Sequence, residues 1–82
     1  MDIGFGNGSL LMSAQEFGYQ ATGLDFRQKS IDALKPYVDD LRTQDFLDIS
    51  EFGEYDVISM ADVLEHIPFP KMFLKHASKL IK

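Results

Sequence analysis

Apolar and polar residues alternate in blocks along this chain, and the spacing within each block predicts its structure. Leu10, Leu11, Ala14 and Phe17 recur at i, i+1, i+4 and i+7, one face of an amphipathic helix, with Gly18 as its C-terminal stop. Ile31 and Leu34 mark a second helix that starts near Gln28 and ends at Pro36. Phe73, Ala77, Leu80 and Ile81 form the inner face of a third, with Pro70 in its first turn. Between the helices lie strand patterns. Ile3 and Gly4 close a short buried strand, residues 20–25 carry Ala21 and Leu24, and residues 41–45 form a third strand. The stretch "YDVISM", with β-branched Val57 and Ile58, is the clearest strand of all. "DISEFGE" is a polar turn around Gly53.

The resulting order, β-α-β-α-β-β-α, predicts an α/β fold with a parallel sheet and helices on both faces. The first strand has almost no N-terminal half, and the last helix feeds no further strand. Residues 1–82 therefore read as the incomplete sheet of a larger Rossmann-like domain, with about four strands.

Composition narrows the class. At 82 residues and 45% hydrophobic content the chain suits one small globular domain with a modest core. It has no cysteine, so it carries neither disulfides nor thiolate metal sites, and a cytoplasmic location is the default expectation. No apolar run is long enough to span a bilayer. The net charge of −5 is uneven: all 13 acidic residues precede Lys71, while Lys71, Lys75, Lys79 and Lys82 follow the last acid. The acidic bulk argues against a nucleic-acid surface, and the lysine spacing is that of the wet face of one helix.

Candidate chemistry starts in "MDIGFGNGSLL". Gly4, Gly6 and Gly8 sit at a strand-to-helix junction, where glycine lets the backbone take positive φ and lets a ligand approach closely. In an open parallel sheet, ligands bind beyond the carboxyl ends of the strands. Asp25 ends the next strand, and a carboxylate there can accept hydrogen bonds from both hydroxyls of a ribose. It can equally cap the following helix. A dinucleotide binder favours G-x-G-x-x-G, with a helix N-terminus facing a pyrophosphate. Here the third glycine is Gly8 and position 9 is Ser9, a spacing that suits close approach more than an anion cradle.

"DIGFGNG", "GLD", "QDFLDI" and "YDVISMADVLEHI", in that order, resemble the class I S-adenosylmethionine-dependent methyltransferases, in particular the small-molecule type with a "VLEH" stretch. The resemblance covers essentially the whole chain. It implies a strand order of 3-2-1-4 for the part present and makes residues 1–82 the N-terminal cofactor-binding part of a methyltransferase domain. It implies S-adenosylmethionine as cofactor and methyl transfer to a small-molecule acceptor. By position, Asp2 would reach the amino group of the methionine moiety. Gly4, Phe5, Gly6 and Gly8 would pass under methionine and ribose. Asp25 would hold the ribose hydroxyls, and Phe26 would lie against the adenine. Asp45 would accept from the adenine amino group, and the backbone N–H of Phe46 would meet the ring edge. Met60 and Ala61 would line the methionine side.

Further along, "ADVLEHIPFP" places Asp62, Glu65 and His66 at spacings that share a helical face. Three such side chains can hold a divalent cation. Ubiquinone-pathway O-methyltransferases carry a similar stretch, although Asp62 is shorter than glutamate. His66 alone is a candidate general base, since imidazole exchanges protons near neutral pH. It can also simply anchor its loop. The acceptor pocket is not readable. An incomplete sheet exposes strand edges, which predicts an inactive chain or a homodimer paired through those edges. The alternatives are an NAD-dependent Rossmann oxidoreductase and a non-catalytic cofactor-binding or interaction module.

Overall fold

A computed structural model describes residues 1–61 and 63–82. Three parallel strands lie side by side in the order β1 (Asp2–Ile3), β2 (Thr22–Leu24), β3 (Asp40–Arg42). Their register pairs Asp2 with Gly23, Ile3 with Leu24, Gly23 with Leu41 and Leu24 with Arg42. Helix α1 (Ser9–Glu16) joins β1 to β2, α2 (Gln28–Leu34) joins β2 to β3, and α3 (Pro70–Leu80) closes the chain. Short 3-10 turns form at Phe46–Asp48 and Leu64–His66.

Local chemistry sets the helix ends. Asn7 Oδ1 accepts from the Ser9 N–H at 3.0 Å, a local side-chain turn that leads into α1. At its end Gly18 takes φ 90°, its N–H donates to Gln15 O, and the Tyr19 N–H donates to Ala14 O. That reciprocal pair is a Schellman stop, in which a left-handed glycine lets the last carbonyls find donors. Pro70 opens α3 where its missing N–H costs nothing.

The sheet separates two apolar layers. Ile3 and Leu24, neighbours in the register, pack with Phe46, Ile49 and Leu80 on the α3 side. Phe5, Leu11, Ile31, Leu34 and Val38 form the layer on the α1 and α2 side. A Cβ on Gly23 would meet Leu11, Leu41 and Phe5 at 2.6–2.9 Å, so α1 seats directly on the bare β2 backbone. Helices therefore cover both faces, as the element order predicts. In the α3 layer Phe46 and Phe73 pack at 5.1 Å between ring centres, and His76 Nε2 contacts Ile49 O at 2.8 Å.

Two strand expectations differ from the structure. "YDVISM" forms only single bridges, Asp2 with Ser59 and Tyr55 with Ile81. The Ser59 N–H donates to Met1 O and the Ile3 N–H to Ser59 O, so this segment lies beside β1, away from β2. The order 3-2-1-4 holds in position, but the fourth member is a bridge, because β1 offers just two strand residues to pair with. Ile81, expected on the inner face of α3, lies past the helix end and is partly exposed. β3 runs over Asp40–Arg42, earlier than 41–45, because Asp45 turns the chain: its side chain accepts from the Leu47 N–H and caps the 3-10 turn. No described helix is long and apolar enough to cross a membrane.

Candidate functional site

The loop from Gly4 to Gly8 leaves the carboxyl end of β1 with all three glycines at positive φ, 69°, 60° and 81°. Its glycines do different work. A Cβ on Gly8 would sit 2.4–3.0 Å from three atoms of Leu34, so that glycine lets α1 and α2 close together. A Cβ on Gly4 would meet the Val63 side chain at 2.7 Å. Gly6 alone has room for a Cβ, which would make ordinary contact with Arg27 Nη2 at 3.9 Å. Of the three, only Gly6 leaves bare backbone for a ligand.

Asp25 lies directly beside it. The β2 ladder carries the chain to this point, with the Asp25 N–H donating to Arg42 O at 3.0 Å. The carboxylate is 3% exposed, a depth that demands partners. Oδ2 accepts from the Gly6 N–H at 3.2 Å and from Arg27 Nη2 at 2.8 Å. Oδ1 accepts from the Arg27 N–H and Arg27 Nε, both at 3.0 Å. The Arg27 fork holds the Asp25 carboxyl below the ordinary carboxylate range, and the two amide donors add to the effect against the opposing influence of burial. A shallow depression of about 400 Å³ opens next to the pair, lined by Gly6, Asn7, Arg27, Lys29, Ser30 and Ala33.

The other sequence-predicted residues, Asp2 apart, lie in the segments that follow the strands. Phe26 is 88% exposed beside Asp25, the extreme case among the large apolar side chains. Asp45 is exposed, with Oδ1 engaged by Leu47. The Phe46 side chain is core, leaving only its backbone for contact. Phe5 is likewise buried, against α1 and α2. Met60 is half-buried and Ala61 exposed, just past the bridge at Ser59. Asp2 is buried and accepts from Ser59 Oγ at 2.8 Å; desolvation raises its carboxyl above the ordinary range. Glu65 and His66 are both exposed, 3.8 Å apart. Asp62, the third member of the candidate metal trio, lies outside the described residues. Among the described residues, no three acidic, histidine or cysteine groups converge on a metal position.

A larger concavity, about 1,390 Å³, is elsewhere. It opens at the amino ends of the strands, between α1 and residues 54–57. It contains none of the predicted site residues except Asp2. Sequence reasoning also missed Arg27. The signal was present, since an arginine two residues after a strand-ending aspartate stands where a helix cap of Ser, Thr, Asp or Asn is usual.

Comparison with known proteins agrees with the geometry. A family described as a methyltransferase domain matches residues 1–82. The ubiquinone biosynthesis O-methyltransferase of Albidiferax ferrireducens is 30% identical over 91 aligned positions, covering 100% of this chain and 36% of that protein. The proteins of the same name from Coxiella burnetii and Shewanella halifaxensis are 28% and 27% identical, each with 38% of its length covered. The chain thus spans little more than a third of the relatives it matches. With a parallel sheet, a positive-φ glycine loop and a buried aspartate meeting at one edge, and a family match from first residue to last, the chain belongs to the methyltransferase-domain family.

Proposed function

We propose that residues 1–82 form the cofactor-binding part of an S-adenosylmethionine-dependent methyltransferase that acts on an oxygen of a small-molecule acceptor. The observation that carries this reading is the meeting of Gly6 and Asp25. A buried carboxylate and a glycine backbone without a Cβ stand 3.2 Å apart at the carboxyl edge of a parallel sheet. A vicinal diol asks for such a pair of carboxylate oxygens, and a 2′-phosphate would be repelled by them. The oxygen acceptor is taken from the relatives, which are O-methyltransferases by name.

S-adenosylmethionine, when bound, supplies a methyl group on a positively charged sulfur that is already a good leaving group. The task left to the protein is alignment, which can supply about 7–11 kcal/mol of barrier lowering in favourable cases. In this reading Asp25 holds the ribose hydroxyls, and the exposed Phe26 ring covers one face of the adenine. Asp45 accepts from the adenine amino group while remaining the cap of its turn. The backbone at Gly4 and Gly6 runs beneath the ligand, and Met60 and Ala61 bound its methionine end. Asp2 stays pinned to Ser59 beneath the turn. His66, exposed past the fourth segment, takes the acceptor proton where the acceptor still carries one at neutral pH.

Calorimetric titration with S-adenosylhomocysteine, with NAD as comparator and Asp25→Ala as control, tests the reading. Binding of the homocysteine compound and not of NAD, lost in the variant, is the expected result. Preference for NAD overturns it.

A further inference from the structure

We infer that Arg27 is a self-ligand of the ribose position, an intramolecular latch that a cofactor displaces in order to bind. The inference rests on the cofactor reading above and adds a residue to it. A carboxylate has about four acceptor positions. At Asp25 all four are in use: two by the amides of Gly6 and Arg27, and two by the Nε and Nη2 of the Arg27 side chain. A diol that donates two hydroxyls to Asp25 therefore has to take the places of the guanidinium. The amides belong to the folded loop and stay. The guanidinium is the removable pair: its side chain is 58% exposed, whereas that of Asp25 is 2% exposed. The same Nη2 is the nearest atom to the open side of Gly6, so one side chain covers both halves of the site.

The exchange needs no refolding. When the fork swings into solvent, each Asp25 oxygen keeps one amide donor, and the incoming hydroxyls restore the other two bonds. Opening is an equilibrium, so the apparent affinity falls by the fraction of molecules with the latch open. Only the guanidinium half of this ion pair stands in water, so salt weakens it in part, whereas hydrogen bonds from an uncharged diol do not respond to salt. Rising salt therefore favours the cofactor over the latch.

The test is calorimetric titration of the full chain with S-adenosylhomocysteine, in wild type, Arg27→Ala and Arg27→Lys, from about 0.02 to about 0.3 M NaCl. The latch predicts that Arg27→Ala binds about three- to tenfold more tightly than wild type at low salt. It also predicts that wild-type affinity rises with salt toward that of Arg27→Ala, whose own affinity stays flat. Arg27→Lys keeps the charge without the two-pronged fork and falls between them. Equal or weaker binding by Arg27→Ala overturns the latch and makes Arg27 a support for Asp25, while leaving the cofactor reading in place. Absence of binding by all three proteins overturns both.

Discussion

Between Ile3 and Val38 the chain buries Ile3, Phe5, Leu11, Leu24, Ile31, Leu34 and Val38 to 6% exposure or less; from Phe52 to Phe69 no described side chain is buried. Both regions carry clear strand patterns. The difference lies in their neighbours. β2 has a strand on each side and a helix layer over each face, so every residue it contributes is covered. Residues 55–59 have only single bridges, from Ser59 to β1 and from Tyr55 to Ile81, and Val57 stays 57% exposed. A parallel strand gains its stability from being enclosed, and β-branched side chains add nothing when there is no surface to pack against.

Removing the residue that ties the regions together should have the largest effect. Leu80 is fully buried in the α3 layer, and its carbonyl accepts from the Tyr55 N–H at 2.9 Å. Leu80→Ala is expected to cost about 2–5 kcal/mol in urea unfolding. It should also speed hydrogen exchange at Tyr55 more than at Leu24.

A pair of glycine variants then separates the regions. Gly8→Ala meets a positive φ and the Leu34 side chain together and should cost about 2–4 kcal/mol. Gly53→Ala meets positive φ in open space and should cost about 1–2 kcal/mol. Equal costs in urea titrations would mean that the α1–α2 contact is looser than described.

Acid titration sharpens the contrast further. Hydrogen bonds from Arg27 and Arg42 lower the folded pKa of Asp25 and Asp40. Groups of this kind contribute stability that is present above their unfolded values, near pH 4, and is lost as pH falls through the lowered folded values. Asp2 acts with the opposite sign. Burial raises its folded pKa, so its ionisation costs stability as pH rises from near 4 through that raised value. Urea midpoints measured between about pH 2 and about pH 7 should fall on the acid side for wild type. They should fall less steeply for Asp25→Asn, and Asp2→Asn should gain stability at neutral pH. The smallest effect belongs to Val57→Thr, within about 0.5 kcal/mol of wild type because the side chain is already in water.

Much of the site could be read from the chain because its parts are local. Gly6 and Asp25 lie at the ends of adjacent strands, and a parallel βαβ unit brings such ends together whatever the surrounding sequence. The helix boundaries at Gly18, Pro36 and Pro70 were readable for the same reason, since each depends on the backbone of one residue. The separate duties of the three glycines were not. Whether a missing Cβ makes room for a ligand, for Leu34 or for Val63 depends on what lies opposite, and that is set by chain distant in sequence. The sequence shows an arginine at a helix-cap position two residues after Asp25, but that the pair is locked together follows only from the burial of Asp25.

From the sequence alone come the α/β class, the alternation of strands and helices, the positive-φ loop and the aspartate at the end of β2. These follow from periodicity and from glycine and proline stereochemistry, which act over a few residues. Tertiary structure decided which predicted strands pair, which glycine of the loop has room for a Cβ, and that the Asp25 carboxylate is fully occupied by its own chain. Those outcomes depend on the competition of partners for the same surface and the same lone pairs, and a competition is settled only when all the competitors are in place.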